Sequence, residues 1–157
     1  MATWAEFEAE TPELAGAALD RLRAHKHLTI ATLRRDGSPR ISGIEFEIVG
    51  GDLQLGSMWQ AVKALDLQRD PRFALHSGSD DRPGWSGDAK VAGRVTELDD
   101  DAKLRHRDAR GGEVPDGPFH LFSCDIAEVV VVGLNDARDK LVVQMWHEGR
   151  GTSQLER

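Results

Sequence analysis

The first apolar pattern along the chain has the period of an α-helix. Leucine and alanine residues after position 11 recur every three to four positions, as they do on the buried face of an amphipathic helix. Thr11 and Pro12 precede most of this pattern and supply a helix cap and a residue suited to the first helical turn. We therefore predict an N-terminal helix over about 12–24.

From about residue 27 the apolar period changes to two, which is typical of strands that bury one face. The clearest case is 44–48, where isoleucine and phenylalanine alternate with two glutamates. Turn sequences, D-G-S at 36–38 and G-G-D at 50–52, separate three such strands. This pattern predicts antiparallel hairpins with one buried face and one solvated face.

The rest of the chain continues with strands and two short helices. A helix over about 60–68 ends at Asp70-Pro71, because the residue before a proline avoids helical geometry. A second helix is predicted over 99–109, and a polar loop that contains Trp85 precedes the strand before it. The remaining apolar or alternating segments are predicted as strands, namely 72–77, 88–98, 119–134 and 139–148.

Together these elements predict one fold class. Six or seven strands, joined mostly by tight turns and accompanied by two or three short helices, lack the regular βαβ alternation of a parallel sheet. They favour a mostly β architecture, an antiparallel β-barrel with short helices at its ends. The 157 residues are then one domain, with a helix at about 12–24, a barrel at about 27–146 and a short C-terminal tail.

Composition and net charge limit the classes of partner and the cellular location that we expect for this protein. A net charge of −7 argues against nucleic acid, since phosphate backbones bind basic faces. No apolar run is long enough to span a bilayer and the acidic N-terminus lacks a secretory pattern, so we expect a cytoplasmic protein. Cys124 is the single cysteine, which excludes an internal disulfide. The histidines lack metal-binding spacing, so we expect no metal site.

Common catalytic motifs are missing from the sequence. It contains no G-x-S-x-G, P-loop or G-x-G-x-x-G motif, and no tyrosine. What remains is the segment from Gly56-Ser57 to Lys63, where a strand leads into a helix. Free backbone N–H groups, the helix dipole and the lysine charge make this a candidate phosphate site. The alternative interpretation is a surface lysine on a connecting helix.

The order of these short motifs resembles that of the pyridoxamine 5′-phosphate oxidase-like family of flavin-binding split β-barrels. A D-G-x-P turn at 36–39 is followed by a strand that ends near Ser57, by the helix residue Lys63 and by L-x-R-D-P-R at 67–72. A further strand then leads into an acidic helix start. The resemblance covers roughly residues 25–102.

This resemblance implies an antiparallel split β-barrel of the FMN-binding type and a homodimer whose cofactor sites are shared between subunits. It implies that Lys63 binds the cofactor phosphate with help from Ser57, and that residues 42–47 line the ring system. Tryptophans close to these segments are candidates for stacking on the ring. The expected cofactor-binding residues are Arg40, Ser42, Gly43, Ser57, Met58, Trp59, Lys63 and Trp85.

The chain departs from the oxidase itself at four positions. Ala61 and Val62 stand where the oxidase has a serine and an arginine before the lysine. Ser42 and Glu47 stand where it has an arginine and a lysine. Charge-assisted contacts to a phosphate are therefore fewer. The arginines that can compensate are Arg40, Arg69 and Arg72.

By this resemblance, the expected function is an oxidoreductase that uses FMN, with the deazaflavin coenzyme F-420 as the alternative. Hydride passes between the cofactor ring and a small conjugated substrate. The sequence names neither the substrate nor a catalytic residue. Two other functions stay open. One is a flavin- or haem-binding storage protein without turnover, in which His76 or His147 ligates haem; the other is a protein kept for its dimer surface after its site has eroded.

Overall fold

The computed structural model describes residues 1–114 and 116–157, and all elements below lie in these ranges. Eight strands occur there, one more than the upper number expected from the sequence. They are β1 (Leu28–Leu33), β2 (Pro39–Val49), β3 (Asp52–Met58), β4 (Arg72–His76), β5 (Asp88–Glu97), β6 (Phe119–Leu134), β7 (Leu141–His147) and β8 (Gly151–Glu156).

The strands form one antiparallel sheet in the order β3-β2-β1-β4-β5-β6-β7-β8. A further pairing of β3 with the first part of β6 closes the first six strands of that order into a barrel. The β7–β8 hairpin extends the sheet from the second part of β6. The predicted mostly β fold, an antiparallel barrel with short helices, is therefore confirmed.

Four helices accompany the barrel in the described ranges: α1 (Trp4–Glu10), α2 (Pro12–Arg23), α3 (Val62–Arg69) and α4 (Asp100–Ala109). The sequence predicted α2, α3 and α4 to within about two residues at each end. α3 ends as expected, because Asp70 is extended and Pro71 follows it. Among the described residues, no helix has the length and apolar character that crossing a membrane requires.

Helix α1 was not predicted, and its own ends explain why it forms. Thr3 caps it: the Thr3 hydroxyl accepts from the N–H of Glu6 at 3.2 Å, and the Glu6 carboxylate accepts from the N–H of Thr3 at 2.8 Å. Phe7 is fully buried against Trp146 of β7, with 5.0 Å between ring centroids. A helix of seven residues is thus held by a capping box and by aromatic packing on the sheet.

Strand β8 lies where the sequence analysis expected only a short tail. Its residues are mostly polar and pair with β7 over six positions, from His147–Gly151 to Val142–Glu156. A polar segment can form an edge strand because backbone hydrogen bonds, rather than apolar side chains, hold it there.

Alternating apolar residues of the strands fill the barrel interior. Leu53 and Leu55 of β3, Ile30 of β1 and Ile126 of β6 are all fully buried. This burial provides the main driving force for folding, at roughly 25 cal/mol for each Å² of apolar surface removed from water. The opposite face of β2 and β3 was expected to be solvated, and here the structure differs.

Helix α4 covers part of that opposite face. Arg110, just after α4, donates a hydrogen bond to the Glu45 carboxylate at 2.7 Å. His106 of α4 is buried with its Nδ1 2.9 Å from Gln54 Oε1. Burial, and then the charge of Arg110, lower the pKa of His106, so its imidazole is neutral. The glutamate face of β2 is therefore partly buried under a helix, which the period-two pattern alone did not show.

Candidate functional site

An open cleft of about 310 Å³ lies between the β1–β2 hairpin and the start of α3. We call it the α3 cleft. Three basic side chains and one hydroxyl face it, together with three apolar side chains. Its lining residues are Arg34, Arg40, Ile41, Ser42, Ala61, Val62 and Lys63.

Lys63 is the second residue of α3, and its ammonium group donates a hydrogen bond to the carbonyl oxygen of Gly43 on β2. Burial lowers the pKa of Lys63, because the charged form loses part of its hydration. Ala61 begins the helix without a side-chain cap. Within the described ranges the N–H groups of Val62 and Lys63 consequently have no acceptor, and both lie at the positive end of the helix dipole.

Asp66, one turn further along α3, holds Arg40 at the cleft. Asp66 Oδ2 accepts from Arg40 Nε at 2.7 Å and from the Thr32 hydroxyl at 2.9 Å, while Oδ1 accepts from Arg69 at 2.9 Å. Burial opposes ionisation, but these hydrogen bonds outweigh it and lower the pKa of Asp66. An ionised, buried carboxylate therefore fixes the Arg40 guanidinium between α3 and β2.

The three arginines expected to compensate for missing contacts lie in different places. Arg40 faces the α3 cleft. Arg69 binds Asp66 and the carbonyl of Leu33, and Arg72 forms two hydrogen bonds with Asp70 that help lower the pKa of Asp70 to about 2. Neither Arg69 nor Arg72 lines the cleft.

Arg34 is a cleft residue that the sequence analysis missed. It follows β1, and its Nε is 3.4 Å from the carbonyl oxygen of Pro39 across the hairpin turn. The available signal was the Arg34-Arg35 pair before the D-G turn. The direction of the Arg34 side chain depends on the twist of the hairpin, which cannot be inferred from a sequence pattern.

Ser42 contributes a hydroxyl to the same cleft. Its Oγ is buried and has no hydrogen-bond partner among the described residues. A buried hydroxyl without a partner costs about 1–3 kcal/mol, so such groups are usually satisfied by protein, water or ligand. An acceptor bound in the cleft would satisfy it.

The residues at the end of β3 and directly after it, 57–59, do not line the α3 cleft. Ser57 is buried, opposite His120 of β6, and shares the inward parity of Leu55. Trp59 stacks on the His120 imidazole, with 4.7 Å between centroids and 10° between planes. Met58 is 82% exposed. The predicted site residues thus divide: Arg40, Ser42 and Lys63 line the cleft, Gly43 contacts Lys63, and Ser57 and Trp59 lie towards β6.

His120 fixes the turn between β3 and α3, a role that no sequence pattern indicated. Its Nε2 accepts from the N–H of Gln60 at 3.2 Å, so the ring proton is on Nδ1, which is 2.6 Å from Glu97 Oε1. Gln68, in the last turn of α3, donates to the other Glu97 oxygen at 2.7 Å. Both ends of α3 are therefore tied to the strands through one histidine–glutamate pair.

Trp85 lies at the other end of the barrel strands. The loop that carries it follows β4, whose His76 pairs with Thr29 near the start of β1, whereas the α3 cleft adjoins the end of β1. The two histidines considered for haem already have partners: His76 Nδ1 is 2.6 Å from the Ser77 carbonyl, and His147 Nδ1 is 3.5 Å from Glu128. Over residues 1–114 and 116–157 no group of three potential metal ligands occurs.

Comparisons with known proteins show what this fold resembles. No protein-family model matches the sequence, and no curated protein matches it significantly. Solved structures do match. A pyridoxamine 5′-phosphate oxidase-related, FMN-binding protein from Nostoc punctiforme has a TM-score of 0.65 and 18% identity, over 100% of this chain and 97% of that one.

Two further structures broaden the range of cofactors. A heme-binding protein from Mycobacterium smegmatis has a TM-score of 0.60 and 18% identity, over 92% of this chain and 88% of that one. An F-420 reductase has a TM-score of 0.53 and 19% identity, over 72% of this chain and 93% of that one. The chain therefore has the fold of the pyridoxamine 5′-phosphate oxidase-like split β-barrels, as the sequence motifs indicated.

Proposed function

We propose that the α3 cleft binds the phosphate of FMN, or of coenzyme F-420, and that the protein is an oxidoreductase using that cofactor. One observation carries the proposal: Arg34, Arg40 and Lys63 surround an unpartnered buried hydroxyl, Ser42 Oγ, at the start of a helix. The similarity to an FMN-binding protein and to an F-420 reductase supports it.

The charges and donors of the cleft suit a phosphate. Lys63 has three N–H donors and Gly43 takes one, which leaves two for phosphate oxygens. Asp66 accepts a hydrogen bond from Nε of Arg40, which leaves the two NH2 groups of that guanidinium as donors for the phosphate. The free N–H groups at the start of α3 add donors, as in other anion sites at helix N-termini. Arg34 and Ser42 add further N–H and O–H donors at the cleft.

The cofactor supplies hydride transfer when bound, and the chain positions it. Lys63 and Arg40 fix the phosphate, so the ring would lie along β2, next to Ser42 and Gly43. None of the seven residues that line the cleft is a histidine or a carboxylate, and Asp66 behind it is held by Arg40, Arg69 and Thr32. We therefore assign binding and orientation to these residues, and propose a small conjugated substrate that stacks on the ring.

We propose further that a second copy of the chain completes the site. The cleft is open, and two large apolar side chains of its wall are exposed, which is unusual for a surface that faces only water. Ile41 is 73% exposed at the cleft wall. Val62, also on the cleft wall, is 53% exposed. Further apolar side chains are exposed elsewhere on β3, the turn after it and α3, namely Met58, Trp59 and Leu65.

The alternative function is flavin or haem binding without turnover, which the similarity to a heme-binding protein supports. One titration separates the alternatives. Purified protein is titrated with FMN, F-420 and haemin, with Lys63→Ala and Arg40→Ala as test variants. The control is Arg105→Ala, which removes an exposed arginine of α4.

We expect FMN or F-420 to bind, and each test variant to weaken binding by about tenfold or more, as loss of a charged hydrogen bond does. Arg105→Ala should bind like the wild type. Haemin binding with a Soret band, without flavin or deazaflavin binding, would support the storage function instead. Light scattering tests the dimer separately, and a monomer at micromolar concentration would contradict it.

A further inference from the structure

A second concavity, of about 210 Å³, lies between the loop after β4 and the turn between β6 and β7. We call it the Trp85 pocket. Two arginines, an indole and two apolar side chains line it, namely Arg82, Pro83, Trp85, Leu134 and Arg138. It is separate from the α3 cleft, since the two lie at opposite ends of β1.

The indole of Trp85 is held in place by its polar edge. Its Nε1 donates to the Asp88 carboxylate at 3.2 Å, and Asp88 begins β5, where it pairs with Val132 of β6. The side chain is half-buried. With its N–H satisfied on the sheet, the apolar ring surface is what the indole offers to the pocket.

The two arginines come from different segments and have no partner of their own. Neither Arg82 nor Arg138 makes an ion pair or a side-chain hydrogen bond with any residue that the structure describes. Both side chains are exposed, so their guanidinium charges are available to an anion bound in the pocket.

Arg138 also has a backbone conformation that an arginine rarely adopts. Its φ is +57°, in the left-handed region where glycine is favoured. The turn holds it there, because the Asn135 side-chain oxygen accepts from the N–H groups of Asp139 and Lys140. Glycine would fit this position without strain, so arginine occupies it against the preference of the backbone. Strained positions of this kind cluster at binding sites.

We infer that the Trp85 pocket binds a small aromatic carboxylate. The carboxylate is held between the guanidinium groups of Arg82 and Arg138, which match its planar geometry. Its ring stacks on Trp85, with Pro83 and Leu134 as apolar walls. The pocket is smaller than the roughly 300–1,000 Å³ that accommodates drug-sized ligands, which limits the ligand to about one ring.

Benzoate is the probe for this site, with binding followed by tryptophan fluorescence and by calorimetry. We expect saturable binding with a Kd of about 1 mM or below. Arg82→Ala and Arg138→Gly should each weaken it by about tenfold or more, as loss of a charged hydrogen bond does. Arg105→Ala is the matched control and should bind benzoate unchanged. Trp85→Leu should abolish the fluorescence change.

Three results would overturn the inference. The first is no binding of benzoate up to about 10 mM, a level that would detect even weak association. The second is wild-type affinity in both arginine variants, with folding verified by circular dichroism. The third is equal affinity for cyclohexanecarboxylate, which has the charge without the aromatic ring. FMN affinity should not change in Arg82→Ala, so the outcome does not depend on the cofactor proposal.

Discussion

Asp66 Oδ2 accepts a hydrogen bond from Arg40 Nε at 2.7 Å, and this contact fastens α3 to β2 beside the α3 cleft. Asp66 is only 2% exposed, so the ion pair is shielded from solvent. Thr32 and Arg69 complete the set of donors. The position of the cleft therefore depends on a carboxylate that does not itself line the cleft.

Replacing Asp66 by alanine should destabilise the protein by about 3–5 kcal/mol, because two guanidinium groups lose a buried partner. The loss is measured as the free energy of unfolding in urea. Asp100→Asn, at a nearly fully exposed carboxylate on α4, is the control and should change it little. Equal stability of both variants would show that the Asp66 contacts contribute nothing net.

The same carboxylate should make the free energy of unfolding depend on pH in the acidic range. Because the pKa of Asp66 is lower in the folded protein than its ordinary value of 3.8, its stabilisation is full above 3.8. It is lost as the pH falls through the lowered pKa. Asp66→Asn should flatten this part of the curve of stability against pH, and an unchanged curve would contradict the assignment.

Because of Lys63, the affinity for the cofactor should fall at alkaline pH. The pKa of Lys63 is lowered by burial, and only the ammonium form attracts a phosphate, so affinity for FMN or F-420 should fall as the pH rises through that lowered pKa. Lys63→Arg keeps its charge at every accessible pH and should remove the fall. Titrations between neutral and alkaline pH measure the difference; a wild-type curve parallel to that of Lys63→Arg would contradict the prediction.

His120→Asn should loosen the turn before α3. Gln60 loses the acceptor for its N–H and Trp59 loses its stacking partner, at a cost of about 1–3 kcal/mol in unfolding free energy. The emission of Trp59 should also change. His147→Asn is a control at a half-buried histidine, and should cost less than about 1 kcal/mol. Similar losses in the two variants would exclude a special role for His120.

Gly93 should tolerate no side chain. A Cβ there would lie 2.0 Å from the carbonyl oxygen of Asp125, at the bulge where β5 pairs with β6. Gly93→Ala should therefore cost about 1–3 kcal/mol or prevent folding. Gly16→Ala, in α2 with no atom near its Cβ, should instead stabilise by about 0.5–1 kcal/mol. Thermal melts that rank the two variants the other way would contradict this packing.

Arg138→Gly should raise stability by up to about 1 kcal/mol, since glycine adopts a positive φ without strain. Arg138→Ala keeps the strain and removes only the guanidinium, so it should not be stabilised. Urea unfolding compares the two variants. A gain in stability together with loss of benzoate binding would show that the arginine serves the pocket at the expense of the fold, whereas equal stability of both variants would remove the strain argument.

The sequence predicted the barrel because its strands alternate over several residues and its helices have recognisable ends. It failed for α1 and β8, which depend on distant partners: Phe7 packs on Trp146, and a polar segment pairs with β7. Neither partner can be inferred from a local pattern. The solvated face expected for β2 was misjudged for the same reason, because α4 packs over Glu45 from far along the chain.

Three of the residues that line the α3 cleft, Arg40, Ser42 and Lys63, were named from the sequence through the order of its motifs, and their role in binding a cofactor stays a prediction. The sequence could not choose among the compensating arginines, because Arg69 shares the Asp66 carboxylate with Arg40 without lining the cleft, and Arg72 pairs with Asp70. It also could not find the pairing of His120 with Glu97, which joins residues 23 positions apart. The predicted cofactor role of Trp85 stays a prediction.

Strand β6 is paired with β3 at its beginning, with β5 along most of its length and with β7 at its end. Opening β6 therefore breaks three ladders at once, whereas β8 can detach without disturbing the barrel. Amide protons should accordingly exchange with deuterium fastest in β8, more slowly in β7 and slowest at Val129–Val131. On this view opening proceeds from the free edge of the sheet inwards, and the slowest amides report the global unfolding of the protein.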